Sequence, residues 1–116
     1  MMPNITSIRD DFAISAQLFP ADFENLARLG FRSVINTLPD GEFDNQPTAV
    51  ALREAAEAQR LFNAHLPVPD DGFDRRAILR MRALVGELPA PVLAFCRDGE
   101  RSRRLYRAAF ADDSAG

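Results

Sequence analysis

The sequence predicts an α/β fold, a mainly parallel sheet flanked by helices in one compact domain over residues 1–116, with its core from about residue 5 to residue 110. Three observations carry this reading. From residue 20 onward, apolar strand-like runs alternate with helix-like segments, the pattern of strands joined by crossover helices. A chain of 116 residues with 47% apolar and 27% charged residues has the size and composition of a globular domain with a single core. No repeat, linker or low-complexity stretch divides it.

In chain order, Ile5 to Ile8 and Phe12 to Ser15 read as short strands around an Asp10-Asp11 turn. Pro20 stands where a first-turn proline belongs and Gly30 where a helix ends, with Phe23, Leu26 and Ala27 as the apolar stripe between them. Phe31 to Thr37 reads as a strand, broken by Leu38 and the turn residues Pro39-Asp40-Gly41-Glu42. A second helix spans about Thr48 to Arg60, with Val50, Leu52, Ala55 and Ala56 expected inside. Leu61 to Leu66 is the next strand, ended by Pro67-Val68-Pro69-Asp70-Asp71-Gly72. Asp74 can cap a third helix whose apolar face is Ile78, Leu79, Met81, Leu84 and Val85. Leu88-Pro89-Ala90-Pro91 closes it, and a final strand, loop and helix follow, with Ala111 to Gly116 read as a frayed tail.

Composition excludes several classes. No apolar run approaches the ~20 residues that cross a bilayer. The start, Met1-Met2-Pro3-Asn4, has no basic or apolar leader region, so no signal peptide is expected and a cytoplasmic setting is. One cysteine forms no internal disulfide, and one cysteine with one histidine forms no zinc site, so no metal or cofactor is expected. A net charge of −3 gives no case for nucleic acid. His65, with no second histidine or cysteine for a shared metal, reads as a structural side chain.

The chemistry concentrates at Cys96-Arg97-Asp98-Gly99-Glu100-Arg101-Ser102. The apolar run Val92 to Phe95 stops at the single cysteine, and a loop with one glycine leads into a helix. Such a loop turns backbone N–H groups inward, and the helix dipole adds positive potential. Both favour a thiolate, as do Arg97 and Arg101, which makes Cys96 a candidate nucleophile. Arg101 offers a planar fork for two oxygens of an anion. Gly99 supplies an unusual backbone angle. Ser102 either donates to the sulfur or caps the helix. Asp98 and Glu100 are expected to face solvent, Arg97 is of undetermined direction, and Arg103, Arg104 and Arg107 read as exposed helix. In parallel sheets ligands bind beyond the C-terminal strand ends, so the loops 37–47, 67–73 and 96–102 are expected to form one pocket. Asp40 and Glu42 read there mostly as turn residues.

With Ile14-Ser15-Ala16-Gln17, Leu29-Gly30-Phe31-Arg32-Ser33-Val34-Ile35-Asn36, Pro39-Asp40-Gly41-Glu42, Gln46-Pro47 and the cysteine loop in this order, the chain resembles the beta-lactamase hydrolase-like protein, phosphatase-like domain family over residues 5 to 110. The resemblance implies an architecture related to dual-specificity phosphatases and a cysteine-dependent hydrolase acting on a small anionic substrate. It also implies a metallo-hydrolase-type protein as a candidate partner. Asp98 and Glu100 stand where the family tends to carry Ser or Thr and Thr or Asn, and Leu38 where Arg is common. By the same resemblance Asp70, in Leu66-Pro67-Val68-Pro69-Asp70, is the candidate general acid. Asp71 is its neighbouring alternative, and Pro-Asp-Asp-Gly is also the composition of a solvated turn. Residues 97–100 and Ser102 would bind the substrate.

Two chemistries fit this loop. Phosphatase loops place five residues between cysteine and arginine, whereas four separate Cys96 from Arg101. The shorter loop resembles that of rhodaneses, whose cysteine carries a persulfide. A third reading keeps the cradle as a non-catalytic anion- or phosphopeptide-binding module.

Overall fold

The computed structural model describes residues 4–111; of the expected frayed tail, residues 112–116 lie outside the described residues. Five strands form one sheet: β1 (Ile5–Arg9), β2 (Phe12–Ser15), β3 (Ser33–Asn36), β4 (Phe62–His65) and β5 (Val92–Phe95). Their spatial order is β1-β2-β5-β3-β4. β1 runs antiparallel to β2, and every other pairing is parallel. The helices are α1 (Phe23–Arg28), α2 (Ala49–Ala58), α3 (Arg75–Glu87) and α4 (Glu100–Ala109). The α/β architecture expected from the alternating pattern is the one observed.

Local chemistry sets the boundaries. Pro20 opens a short 3-10 turn, Pro20–Asp22, ahead of α1, and the Asp22 carboxylate accepts from Phe19 N at 2.7 Å. Gly30 ends the segment at φ 98°, a left-handed angle that costs a Cβ-bearing residue about 1–2 kcal/mol. Thr48 caps α2 by accepting from Ala51 N, and Asp74 caps α3 by accepting from Ala77 N.

The central strands are buried on both faces, as parallel strands covered by helices must be. Side-chain alternation splits them between two cores. Val92 and Ala94 join Ile35, Met81, Leu84, Leu105 and Tyr106 under α3 and α4. Leu93, Phe95 and Cys96 join Val34, Phe23, Leu26, Leu52 and Ala56 under α1 and α2. Two expected core residues are instead exposed, Val50 and Leu79. The buried stripe of α2 runs through Leu52 and Ala56, and that of α3 through Ala77, Met81 and Leu84. Val50 and Leu79 each lie two residues from a stripe member, about 200° around a helix of 3.6 residues per turn, on the opposite side. Among the described residues no helix is long and apolar enough to cross a membrane.

Candidate functional site

β5 carries the thiol at its C-terminal end. It lies between β2 and β3, and the ladder extends past it on both sides: Cys96 N donates to Ser15 O and Thr37 N to Phe95 O. The chain then leaves the sheet, and Gly99 adopts φ 95° as the residue before α4. A Cβ there would lie 3.5 Å from the Ser15 carbonyl oxygen. Space is therefore available, and the left-handed angle is what calls for glycine. The turn aims the Gly99 N–H at Cys96 Sγ, 3.0 Å away. The expected juxtaposition of thiol and helix N-terminus is thus present, with the cysteine fully buried.

The other loop residues divide. Asp98 and Glu100 are exposed, as expected. The Asp98 carboxylate nevertheless accepts from Glu100 N at 2.9 Å and lies 3.9 Å from Sγ. Arg97 is exposed, with its guanidinium over the Phe43 ring, 4.3 Å from the centroid. Ser102 follows neither expectation. It lies buried inside α4, behind the cap position held by Gly99, and its hydroxyl is 3.1 Å from Thr37 Oγ1. Thr37 spends its one hydroxyl proton on Phe95 O at 2.8 Å, so Ser102 is the donor to Thr37 and not to sulfur.

Arg101 is the hub. Its side chain is 3% exposed. Nη1 donates to Glu42 Oε2 and to Val68 O, both at 2.9 Å, and Nη2 donates to Glu42 Oε1 at 2.6 Å. Asp70 Oδ1 lies 3.3 Å from Nη2, at a rim position with a 79% exposed side chain. Nε is buried with no hydrogen-bond partner among the described residues. The three loops beyond the strand ends therefore do meet, and they meet on this guanidinium. A fourth loop, after β2, joins them through Gln17 N, which donates to Arg97 O at 3.2 Å.

Glu42 is the residue that sequence reasoning missed. Read as a turn residue, it is a bidentate partner of Arg101. Its neighbour Asp40 does act locally, accepting from Ala49 N at 2.8 Å. The available signal was Glu42's place on the loop leaving β3, the strand beside the thiol strand. The hydrogen bond to Arg101 holds the Glu42 carboxyl below its ordinary value; burial opposes this, and the charges of Arg101 and Arg97 add to it. Reciprocally, Glu42 raises the pKa of Arg101 against the effect of burial, with smaller help from the charge of Asp70. His65 has the expected structural role: Nε2 lies 2.7 Å from Leu38 O, which can only accept, so Nε2 carries the proton. No group of three or more His, Cys, Asp or Glu side chains among the described residues could hold a metal ion.

The arrangement combines a buried sulfur receiving a backbone N–H, a guanidinium on the same loop and a carboxylate at the rim. By their chemistry a thiol, a guanidinium and a carboxylate can supply, respectively, a nucleophile, a cation for oxyanion charge and a proton carrier.

Residues 4–112 match the family described as beta-lactamase hydrolase-like protein, phosphatase-like domain. A beta-lactamase hydrolase-like protein of Xylella fastidiosa is 35% identical over 102 residues, which cover 88% of this chain and 24% of that protein. The chain spans about a quarter of the length of the curated relatives it matches. Among solved structures, a Neisseria meningitidis protein provisionally described as a phosphatase superposes with a TM-score of 0.85 at 31% identity, covering 97% of this chain and 78% of that one. Kinase associated phosphatase, crystallised with its catalytic-site cysteine replaced by serine, superposes with a TM-score of 0.77 at 16% identity, covering 97% and 75%. The latter likeness is one of fold.

Proposed function

The chain belongs to the beta-lactamase hydrolase-like protein, phosphatase-like domain family, and on that footing we propose that it is a cysteine-dependent hydrolase of phosphate esters. One observation carries the reading: Gly99 N–H meets Cys96 Sγ at 3.0 Å, on the loop that also supplies the buried Arg101. In this mechanism the Cys96 thiolate attacks phosphorus, forming the S–P bond as the P–O bond to the leaving group breaks. Loop N–H groups and Arg101 hold the charge on the non-bridging oxygens. Asp70, in its acid form, gives its proton to the leaving oxygen. Water then attacks the phosphocysteine, the Asp70 carboxylate takes a proton from that water, and phosphate leaves with the thiolate restored. The mechanism is that of the tyrosine and dual-specificity phosphatase type.

A second reading, a rhodanese-type sulfurtransferase, draws on two specific features. Only four residues separate Cys96 from Arg101, a narrower cradle, and Arg101 is already held by a carboxylate. In that reaction Cys96 attacks the outer sulfur of thiosulfate and the S–S bond breaks. Sulfite leaves with the bonding pair, and a persulfide remains on Cys96 for transfer to cyanide or a thiol. No general acid is needed.

Intact mass after brief exposure to an aryl phosphate, and separately to thiosulfate, decides between them, with Cys96→Ser as control. A phosphoryl adduct on the native chain, absent from the Ser variant, is the expected result. An added sulfur atom without a phosphoryl adduct would replace the hydrolase with the sulfurtransferase. No adduct and no turnover with either reagent would sink both and leave a binding module.

A further inference from the structure

The sulfur that this reading makes reactive is fully buried, and the loop from β3 to α2 touches two arginines of the segment that carries it. Phe43 packs against the core cluster that contains Cys96, and its ring lies under the Arg97 guanidinium. Glu42, the preceding residue, grips Arg101 through both carboxylate oxygens. The segment 39–46 is tied across its own neck: Gln46 Nε2 donates to Pro39 O at 2.8 Å, and Phe43 N donates to Gln46 Oε1 at 3.0 Å. It is thus braced internally, and Asp40 holds its base to α2. Its holds on the cysteine loop are side chains, the Glu42 fork and the Phe43 stack, and not a strand ladder.

We propose that residues 39–46 are a lid over Cys96, that Glu42 is its latch, and that a tetrahedral oxyanion opens the site by taking Arg101 away from Glu42. The proposal rests on the assignment of Cys96 and Arg101 as thiol and clamp. The chemistry of the exchange favours a phosphate-like ligand over any carboxylate. Glu42 has two oxygens and uses both on Nη1 and Nη2, which leaves the buried Nε without a partner. An anion with three or four oxygens can hold two nitrogens of the guanidinium and a loop N–H together, so it satisfies a donor that the latch cannot. A ligand shifts such an equilibrium only by its preference for the open state. Competition for Arg101 supplies that preference. Glu42 thereby becomes a specificity residue that admits oxyanions able to outbid a carboxylate and keeps the thiol sealed otherwise.

The test is the rate of Cys96 alkylation by iodoacetamide in the native protein, with and without inorganic phosphate. Glu42→Gln is expected to raise the rate about tenfold, and phosphate to protect that variant at about one-tenth of the concentration needed for the native chain. A change below threefold in either quantity overturns the proposal. A second measurement does not depend on that variant folding. The chain has no tryptophan, so Asp44→Trp, at an exposed lid position, gives a single reporter. Its emission is expected to change on phosphate titration with the midpoint at which phosphate protects Cys96. Constant emission across that range, or no protection at all, overturns the lid. Turnover is read separately: a responsive lid without turnover removes the hydrolase and leaves the latch, and turnover under an unresponsive lid does the reverse.

Discussion

Removing the Arg101 guanidinium should destabilise the fold by about 4–6 kcal/mol, and the structure shows where that comes from. Arg101→Met keeps most of the aliphatic stem, so little packing is lost. The two bonds to Glu42, at 2.6 and 2.9 Å, involve charged groups worth about 1.5–3 kcal/mol each. Glu42 is 20% exposed, so its carboxylate can turn to water and the loss falls at the low end of that range. The buried Val68 carbonyl loses the donor 2.9 Å away, at about 1–3 kcal/mol. Breaking buried ion pairs from one side costs about 3–5 kcal/mol in general, in line with this sum. Glu42→Gln keeps one N–H···O bond and loses the charge, at about 1–2 kcal/mol. Because both substitutions remove the same fork, the double variant should fall short of the sum of the singles by about 1–2 kcal/mol. Urea unfolding of the four proteins near neutral pH, followed by circular dichroism, measures this coupling. A coupling under about 0.5 kcal/mol would mean that the fork does not hold in solution, and the latch would go with it.

The same pair sets an acid dependence. The folded Glu42 carboxyl lies below its ordinary 4.5, so its stabilisation is complete above that pH and is lost as pH falls through the lower, folded value. The stability gap between native chain and Glu42→Gln should therefore narrow between pH 6 and pH 3; a constant gap refutes the linkage. Gly99→Ala should cost about 1–2 kcal/mol in urea unfolding from its left-handed φ alone, since the nearest heavy atom to the new Cβ is 3.5 Å away. An unchanged unfolding midpoint would show that the turn relaxes freely. Leu93→Ala, at a fully buried site of the central strand, should cost about 2–5 kcal/mol in the same assay; a loss under 1 kcal/mol would mean that the core closes over the gap.

What was legible in the sequence is what short-range physics writes there. The strand–helix alternation, the cap at Asp74 and the glycines at 30 and 99 each answer to a local rule, and each is found where expected. The thiol loop was legible for the same reason, because a strand, a cysteine, a glycine and a helix start follow one another. Val50 and Leu79 were misplaced because they stand near stripe members in the sequence, whereas the helix turns them to its far side. Glu42 and Ser102 were misread for a different reason. Their partners, Arg101 and Thr37, lie 59 and 65 positions away, and a polar side chain in a turn or a helix start satisfies a local pattern equally well. Strand order decides such pairings, and spacing along the chain does not encode them.

The central position of β5 has a consequence for how the molecule comes apart. Its four residues are buried, with a parallel partner on each side. Amides there should exchange with solvent deuterium only through global unfolding, whereas the segments bearing Glu42 and Asp70 open in smaller fluctuations. The sulfur, one residue beyond β5, is therefore fastened to the last part of the sheet to let go. Mild denaturant should uncover Cys96 well before displacing it, so a reagent that reaches only the uncovered thiol would report a partly opened protein whose sheet is still whole.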